Sequence, residues 1–153
     1  MTRFYMGSGP ADTAVIEQIA QWPHLRYAHL NCCNPRTDFD LRPLVTLTEL
    51  EELEFYCTPF GDEGLETLGE IQSLRMLKLS AAHQVQGNGL KYLRDLKNLT
   101  TLEIQSRANW DAHFDDLRSL TQVKELLLID VRLSEDHVKQ LESIDRWNRV
   151  VWK

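Results

Sequence analysis

The sequence predicts an α/β solenoid: about seven parallel strands on the concave face of a right-handed horseshoe, with short helices on the convex face. Three observations carry this expectation. A phrase of the form apolar-x-x-apolar-x-apolar recurs seven times, starting at 1, 25, 50, 74, 99, 123 and 147, so every step is 24 or 25 residues. Each phrase but the last is followed by a run with an apolar residue at every third position. Polar turn formers separate the two. A period this regular belongs to stacked supersecondary units, none of which can bury its apolar face alone.

The strand phrases read Met1-Phe4-Met6, Leu25-Ala28-Leu30, Leu50-Leu53-Phe55, Leu74-Leu77-Leu79, Leu99-Leu102-Ile104, Val123-Leu126-Leu128 and Trp147-Val150-Trp152. Alternation within each phrase buries one face of a strand and leaves the other open. The intervening runs begin Ile16-Ile19-Trp22, Leu41-Leu44-Leu47, Leu65-Leu68-Ile71, Leu90-Leu93-Leu96, Phe114-Leu117-Leu120 and Val138-Leu141-Ile144. A spacing of three fits short helices or 3₁₀ segments packed by a single stripe. Each run ends on the first residue of the next phrase, so helix, turn and strand share one core. The joins carry Asn34-Pro35, Pro59-Phe60-Gly61-Asp62, Gly87-Asn88-Gly89 and Ser134-Glu135-Asp136. Asp62, Asn88 and Ser134 stand where N-caps belong, and Pro23 and Pro43 fall at helix ends. Residues 1–153 are expected to form a single domain, and both ends of the stack read as uncapped.

The segment from Thr58 to Leu65 (Thr-Pro-Phe-Gly-Asp-Glu-Gly-Leu), followed by the repeating leucines, resembles leucine-rich repeats. The resemblance is to the bacterial 24-residue type and its ribonuclease-inhibitor-like relatives, and it covers essentially the whole chain. It implies a leucine-rich-repeat solenoid and a role in protein binding. The chain departs from the pattern where Cys33, Thr58, Ala82, Arg107 and Val131 replace the turn-closing Asn of such repeats. Those turns must satisfy their backbone groups in another way. The Gly-Leu pair is clear at Gly64-Leu65 and Gly89-Leu90 but degenerate at Asp40-Leu41 and His113-Phe114.

Composition narrows the function classes. The 153 residues are 42% hydrophobic and 26% charged, with a formal net charge of -6. An acidic chain is a poor match for nucleic acid or an anionic membrane, which call for a basic face, and it suits a basic protein partner. No apolar run reaches the ~18 residues of a membrane span. The first twenty residues lack an apolar h-region and contain Asp12 and Glu17, so they do not read as a signal peptide. Three cysteines do not suggest a disulfide framework. The expectation is a reduced, cytoplasmic protein, with Cys32 and Cys57 as two free thiols in the same column of adjacent repeats.

Stacking aligns equivalent residues about 4.8 Å apart on neighbouring strands, so the concave face can be read in columns. The first runs Arg3, Tyr27, Glu52, Met76, Thr101, Glu125, Arg149. The second runs Tyr5, His29, Glu54, Lys78, Glu103, Leu127, Val151. The third runs Gly7, Asn31, Tyr56, Ser80, Gln105, Ile129, Lys153. His29, Glu54, Lys78 and Glu103 alternate in sign, which reads either as a self-satisfied ladder or as a docking site that exchanges its pairs with a partner. Tyr5, Tyr27 and Tyr56 gather beside Glu52 and Glu54, a common interface composition and also ordinary for strands. Leu127, Ile129 and Val151 are expected to point outward together, where a partner, a second copy or the chain itself should cover them. Trp110 sits in an irregular turn, either tucked beneath it or standing out as an anchor.

No nucleophile, metal-ligand or phosphate-loop motif is present, so no catalytic residue, metal or cofactor is assigned. The expected function is non-enzymatic recognition of another protein, in the manner of an inhibitor or immunity protein. The binding candidates are Tyr27, His29, Glu52, Glu54, Tyr56, Met76, Lys78, Leu127, Ile129 and Val151. The alternative is a structural or adaptor module that forms homo-oligomers through its ends and the Leu127/Ile129/Val151 patch.

Overall fold

A computed structural model describes residues 2–7, 12–32, 39–145, 147 and, for the course of the backbone, 149–152. Met1, Cys33, Asn34-Pro35 and Lys153 lie outside the described residues. Seven strands form one sheet in strict chain order. They are β1 (Arg3–Tyr5), β2 (Tyr27–Asn31), β3 (Glu52–Tyr56), β4 (Met76–Leu79), β5 (Thr101–Gln105), β6 (Glu125–Ile129) and β7 (Arg149–Trp152). Every pairing is parallel, and the register joins equivalent residues of successive repeats: Leu53 faces Leu77, Leu77 faces Leu102, and Leu102 faces Leu126. The columns read from the sequence are therefore physical neighbours.

The second half of each repeat forms a short helical element, as the spacing of three predicts. Four α-helices are described: α1 (Thr13–Ile19), α2 (Asp62–Leu68), α3 (Phe114–Arg118) and α4 (Glu135–Glu142). The runs at Arg42–Thr46 and Leu90–Asp95 close as 3₁₀ segments instead, and a third 3₁₀ turn, Asp111–His113, leads into α3. Pro43 lies in the first turn of its segment, where a missing N–H costs no hydrogen bond. The core is one cluster running the length of the stack. Leu44, Leu65, Leu93 and Leu117 of the helical layer, together with Leu30, Leu53, Leu77 and Leu102 of the strands, are completely buried.

The anticipated N-caps divide. Ser134 caps α4, its side chain accepting from the His137 N–H. Asp62 instead lies inside the first turn of α2, after Gly61. Its carboxylate reaches into the next repeat and accepts the backbone N–H groups of Gln86, Gly87 and Gly89 at 3.2, 3.1 and 2.9 Å. Asn88 supplies no cap, since Gly89 precedes the 3₁₀ segment and no side chain bonds there. Asp62 is thus a clasp between repeats rather than a cap within one.

The turns that lack Asn are closed by other groups. Thr58, almost fully buried, donates its hydroxyl to the Ser80 carbonyl at 3.1 Å. The fully buried Ser106 donates to the Val85 carbonyl at 2.9 Å and accepts from the Ala108 N–H at 3.3 Å. Just after three of the strands the chain takes a left-handed conformation at non-glycine residues: Cys57 (φ 55°), Ala81 (φ 49°) and Asp130 (φ 60°). Trp110 is completely buried under its turn, so it is a core residue and not an anchor.

Cys32 is a free, buried thiol, as expected. Cys57 is disulfide-bonded, which corrects the reading of it as a free thiol. Column position aligns Cys32 with Cys57, but the two do not bond with each other.

Candidate concave interaction face

Parallel strands alternate their side chains, so the residues between the leucines all emerge on the side away from the helices. The inward residues scarcely vary, whereas the outward ones differ from strand to strand. In register across the first column stand Arg3, Tyr27, Glu52, Met76, Thr101 and Glu125. Across the second stand Tyr5, His29, Glu54, Lys78, Glu103 and Leu127.

The alternating polar groups of the second column resolve into two contacts, a His29–Glu54 hydrogen bond and a Lys78–Glu103 ion pair. His29 Nδ1 lies 3.0 Å from Glu54 Oε2, and Lys78 Nζ lies 3.0 Å from Glu103 Oε1. All four groups are partly shielded, which makes the Lys78–Glu103 pair worth more than a fully exposed one while still costing desolvation. Arg3, Glu52 and Glu125 carry charges that no ion pair among the described residues takes up.

At the β1–β3 end, aromatic rings assemble around Glu54. Tyr5 lies against Tyr27 with ring centroids 4.8 Å apart, and stacks toward His29 at 6.5 Å. The Arg3 guanidinium sits over the Tyr27 ring, 5.5 Å from its centroid. Burial, and then the negative charge of Glu54, hold the Tyr27 phenol proton more tightly than usual. Tyr27 is accordingly buried, flanked in register by Arg3 and Glu52. It is the least exposed of the described candidates on this face. Tyr5 and Tyr56 are the large hydrophobic side chains that stand exposed, at 60% and 52%. Tyr56 was singled out by its column. Tyr5 belongs beside it, and its membership of the same tyrosine cluster was the available signal.

At the other end, Leu127 and Ile129 do emerge on the outer face, in register with Glu103 and Gln105. Both are half-buried by their neighbours and neither joins the core cluster. Val151 is in register with Leu127, as the column reading requires, but its side chain lies outside the described residues. Met76 is half-buried midway between the two ends, next to Glu52 and Thr101. The predicted residues therefore share one continuous face, with an aromatic, acidic end and an apolar end. No group of three His, Cys, Asp or Glu side chains among the described residues converges on a point that could hold a metal ion. No described helix is long and apolar enough to cross a membrane.

A sheet of parallel strands in chain order, one per repeat and backed by short helices, is a leucine-rich-repeat solenoid. Two solved structures of that fold are similar to the chain. One is an internalin (InlF) from Listeria monocytogenes, with 19% identity and a TM-score of 0.58, matched over 88% of this chain and 43% of that one. The other is a leucine-rich-repeat protein of Leptospira interrogans, with 12% identity and a TM-score of 0.57, matched over 97% of this chain and 36% of that one. The chain thus spans less than half the length of either. No family model and no curated protein matches the sequence.

Proposed function

We propose that the chain is a non-enzymatic protein-interaction module that docks a partner protein on its concave sheet, acting as an inhibitor or immunity-type protein. The observation that carries this reading is the contrast between the two sides of the sheet. Inward positions are apolar from strand to strand, while outward ones hold tyrosine, histidine, glutamate, lysine, leucine and isoleucine in fixed positions. A rigid face of varied side chains discriminates partners at little entropic cost. The test is capture of the partner from the native cell, followed by affinity measurements with the purified pair. Glu52→Lys with Glu54→Lys, and separately Leu127→Lys, should each weaken binding at least tenfold, while Glu66→Lys on α2 should leave it unchanged. Equal losses from all the variants, or loss only from Glu66→Lys, would remove the concave face from the account.

The outward position of Leu127 and Ile129 favours a second reading, self-association through that patch. Light scattering decides it: a dimer converted to monomer by Leu127→Lys supports it, and a monomer at high concentration discards it. We propose the cytoplasm as its compartment, while the bonded Cys57 favours an oxidising one. The redox state of Cys57 in protein taken directly from its cell distinguishes the two, a free thiol meaning cytoplasm.

A further inference from the structure

We infer that the β1–β3 end of the concave face is a receptor for arginine side chains on the partner, built from Tyr5, His29, Glu52, Glu54 and Tyr56. This rests on the concave-face reading and adds the chemistry of what is bound.

Three observations lead there. First, the exposed Tyr5 ring is held in place before any partner arrives. Tyr5 is supported from beneath by Tyr27 at 4.8 Å and from the side by His29, and His29 is fixed by its 3.0 Å contact with Glu54. Ordering such a ring costs little on binding, because neighbours already restrict it. Second, the face has an excess of negative charge. Its described columns contain two basic side chains, Arg3 and Lys78, against the four carboxylates of Glu52, Glu54, Glu103 and Glu125. Lys78 is taken by Glu103, which leaves Glu52 open beside the tyrosines. Third, the site already shows what it accepts: the chain's own Arg3 places its guanidinium over the Tyr27 ring. That planar cation combines attraction to an aromatic face with forked hydrogen bonding to carboxylate, whereas an ammonium is a compact point charge that lacks the fork.

A shallow recess of about 220 Å³ lies beneath Tyr27, lined by Thr2, Arg3, Arg26, Tyr27, Glu51 and Glu52. Arg26 and Glu51 pair across it, so Glu52 is its uncompensated acid, with Arg3 drawn off toward the ring. An arriving guanidinium meets the exposed Tyr5 and Tyr56 rings and the Glu52 carboxylate on the same outward face. An acidic partner segment would meet that same carboxylate and be repelled.

The experiment uses the whole chain and three defined nine-residue peptides, identical except for three positions that are all arginine, all lysine or all glutamate. Binding is followed by NMR shifts and calorimetry at low salt. The arginine peptide should shift Tyr5, His29, Glu52 and Tyr56, bind several-fold tighter than the lysine peptide, and leave the glutamate peptide without effect. Tyr5→Ala with Tyr56→Ala should weaken the arginine peptide about tenfold, as expected for the loss of two cation–π contacts. Both rings are exposed, so an unchanged melting temperature shows that the fold survives. Glu52→Gln should weaken binding and flatten its salt dependence. Shifts that fall instead on the acids of α2 and α3, equal affinity for arginine and lysine, or affinity unchanged by the double tyrosine variant would each overturn the inference. If the natural partner's binding were lost with Leu127→Lys but not with the tyrosine variant, the concave-face reading would stand and this one would fall.

Discussion

Two side chains illustrate how local chemistry sets measurable behaviour. Burial pushes the Cys32 thiol up to about 12, against roughly 8.5 for a free thiol. The folded state therefore keeps its proton where the unfolded chain would lose it, and the Cys32 contribution to stability falls as pH rises from about 8.5 toward 12. Thiol-reactive dyes at pH 8 should leave Cys32 unlabelled until the protein unfolds, with labelling tracking the unfolding transition. Asp111 shifts in the opposite direction. The Ser134 N–H at 2.7 Å, and then His137 at 2.7 Å, hold its carboxyl below the usual carboxylate range. A depressed folded value means the Asp111 contribution is fully present above about pH 4 and is lost as pH falls through that lowered value. Acid titration followed by circular dichroism should show a shallower acid limb for Asp111→Asn than for the native chain. Neither environment was legible in the sequence. Cys32 and Cys57 share a column, yet one is a buried free thiol and the other is disulfide-bonded.

The elements were far more legible than their ends. Strand positions and register followed from the seven-fold phrase, since a one-residue slip would turn every leucine outward. Short helical segments followed from the spacing of three, although which of them close as α and which as 3₁₀ did not. Caps were read less well, because a polar residue before a helix can serve its own repeat or the next, as Asp62 does through Gln86, Gly87 and Gly89. The left-handed residues after the strands were not visible either, since alanine at position 81 gives no hint of a φ of 49°. That conformation costs an L-residue about 1–2 kcal/mol, more than glycine's own entropic penalty of about 0.5–1 kcal/mol. Ala81→Gly should therefore raise stability by about 0.5–1 kcal/mol in urea denaturation. Gly64→Ala should do the reverse. A Cβ on Gly64 would overlap the Phe60 ring, which is itself pinned edge-on against Phe55 at 5.1 Å. Overpacking of that kind costs about 1–3 kcal/mol.

Across the whole molecule, each repeat is stabilised chiefly by its neighbours, so the middle of the stack holds the ends in place. Leu77, completely buried on β4 between Leu53 and Leu102, is the place to test this. Leu77→Ala should cost about 2–5 kcal/mol and lower the stability of strands on both sides, read by hydrogen exchange in β3 and β5. The same repetition that makes the core predictable frees the concave face to vary, and so that face was read correctly as columns while its depth was not. Tyr27 is covered by the Tyr5 ring and the Arg3 guanidinium, whereas Tyr56 is 52% exposed. The central claim is that this face meets the partner. Oxidative side-chain footprinting of the complex measures that directly. Tyr5, Tyr56, Met76, Leu127 and Ile129 should be protected in the presence of the partner, while Tyr92 on the helical side remains as reactive as in the free chain. Protection of Tyr92 with the five concave residues unchanged would contradict it.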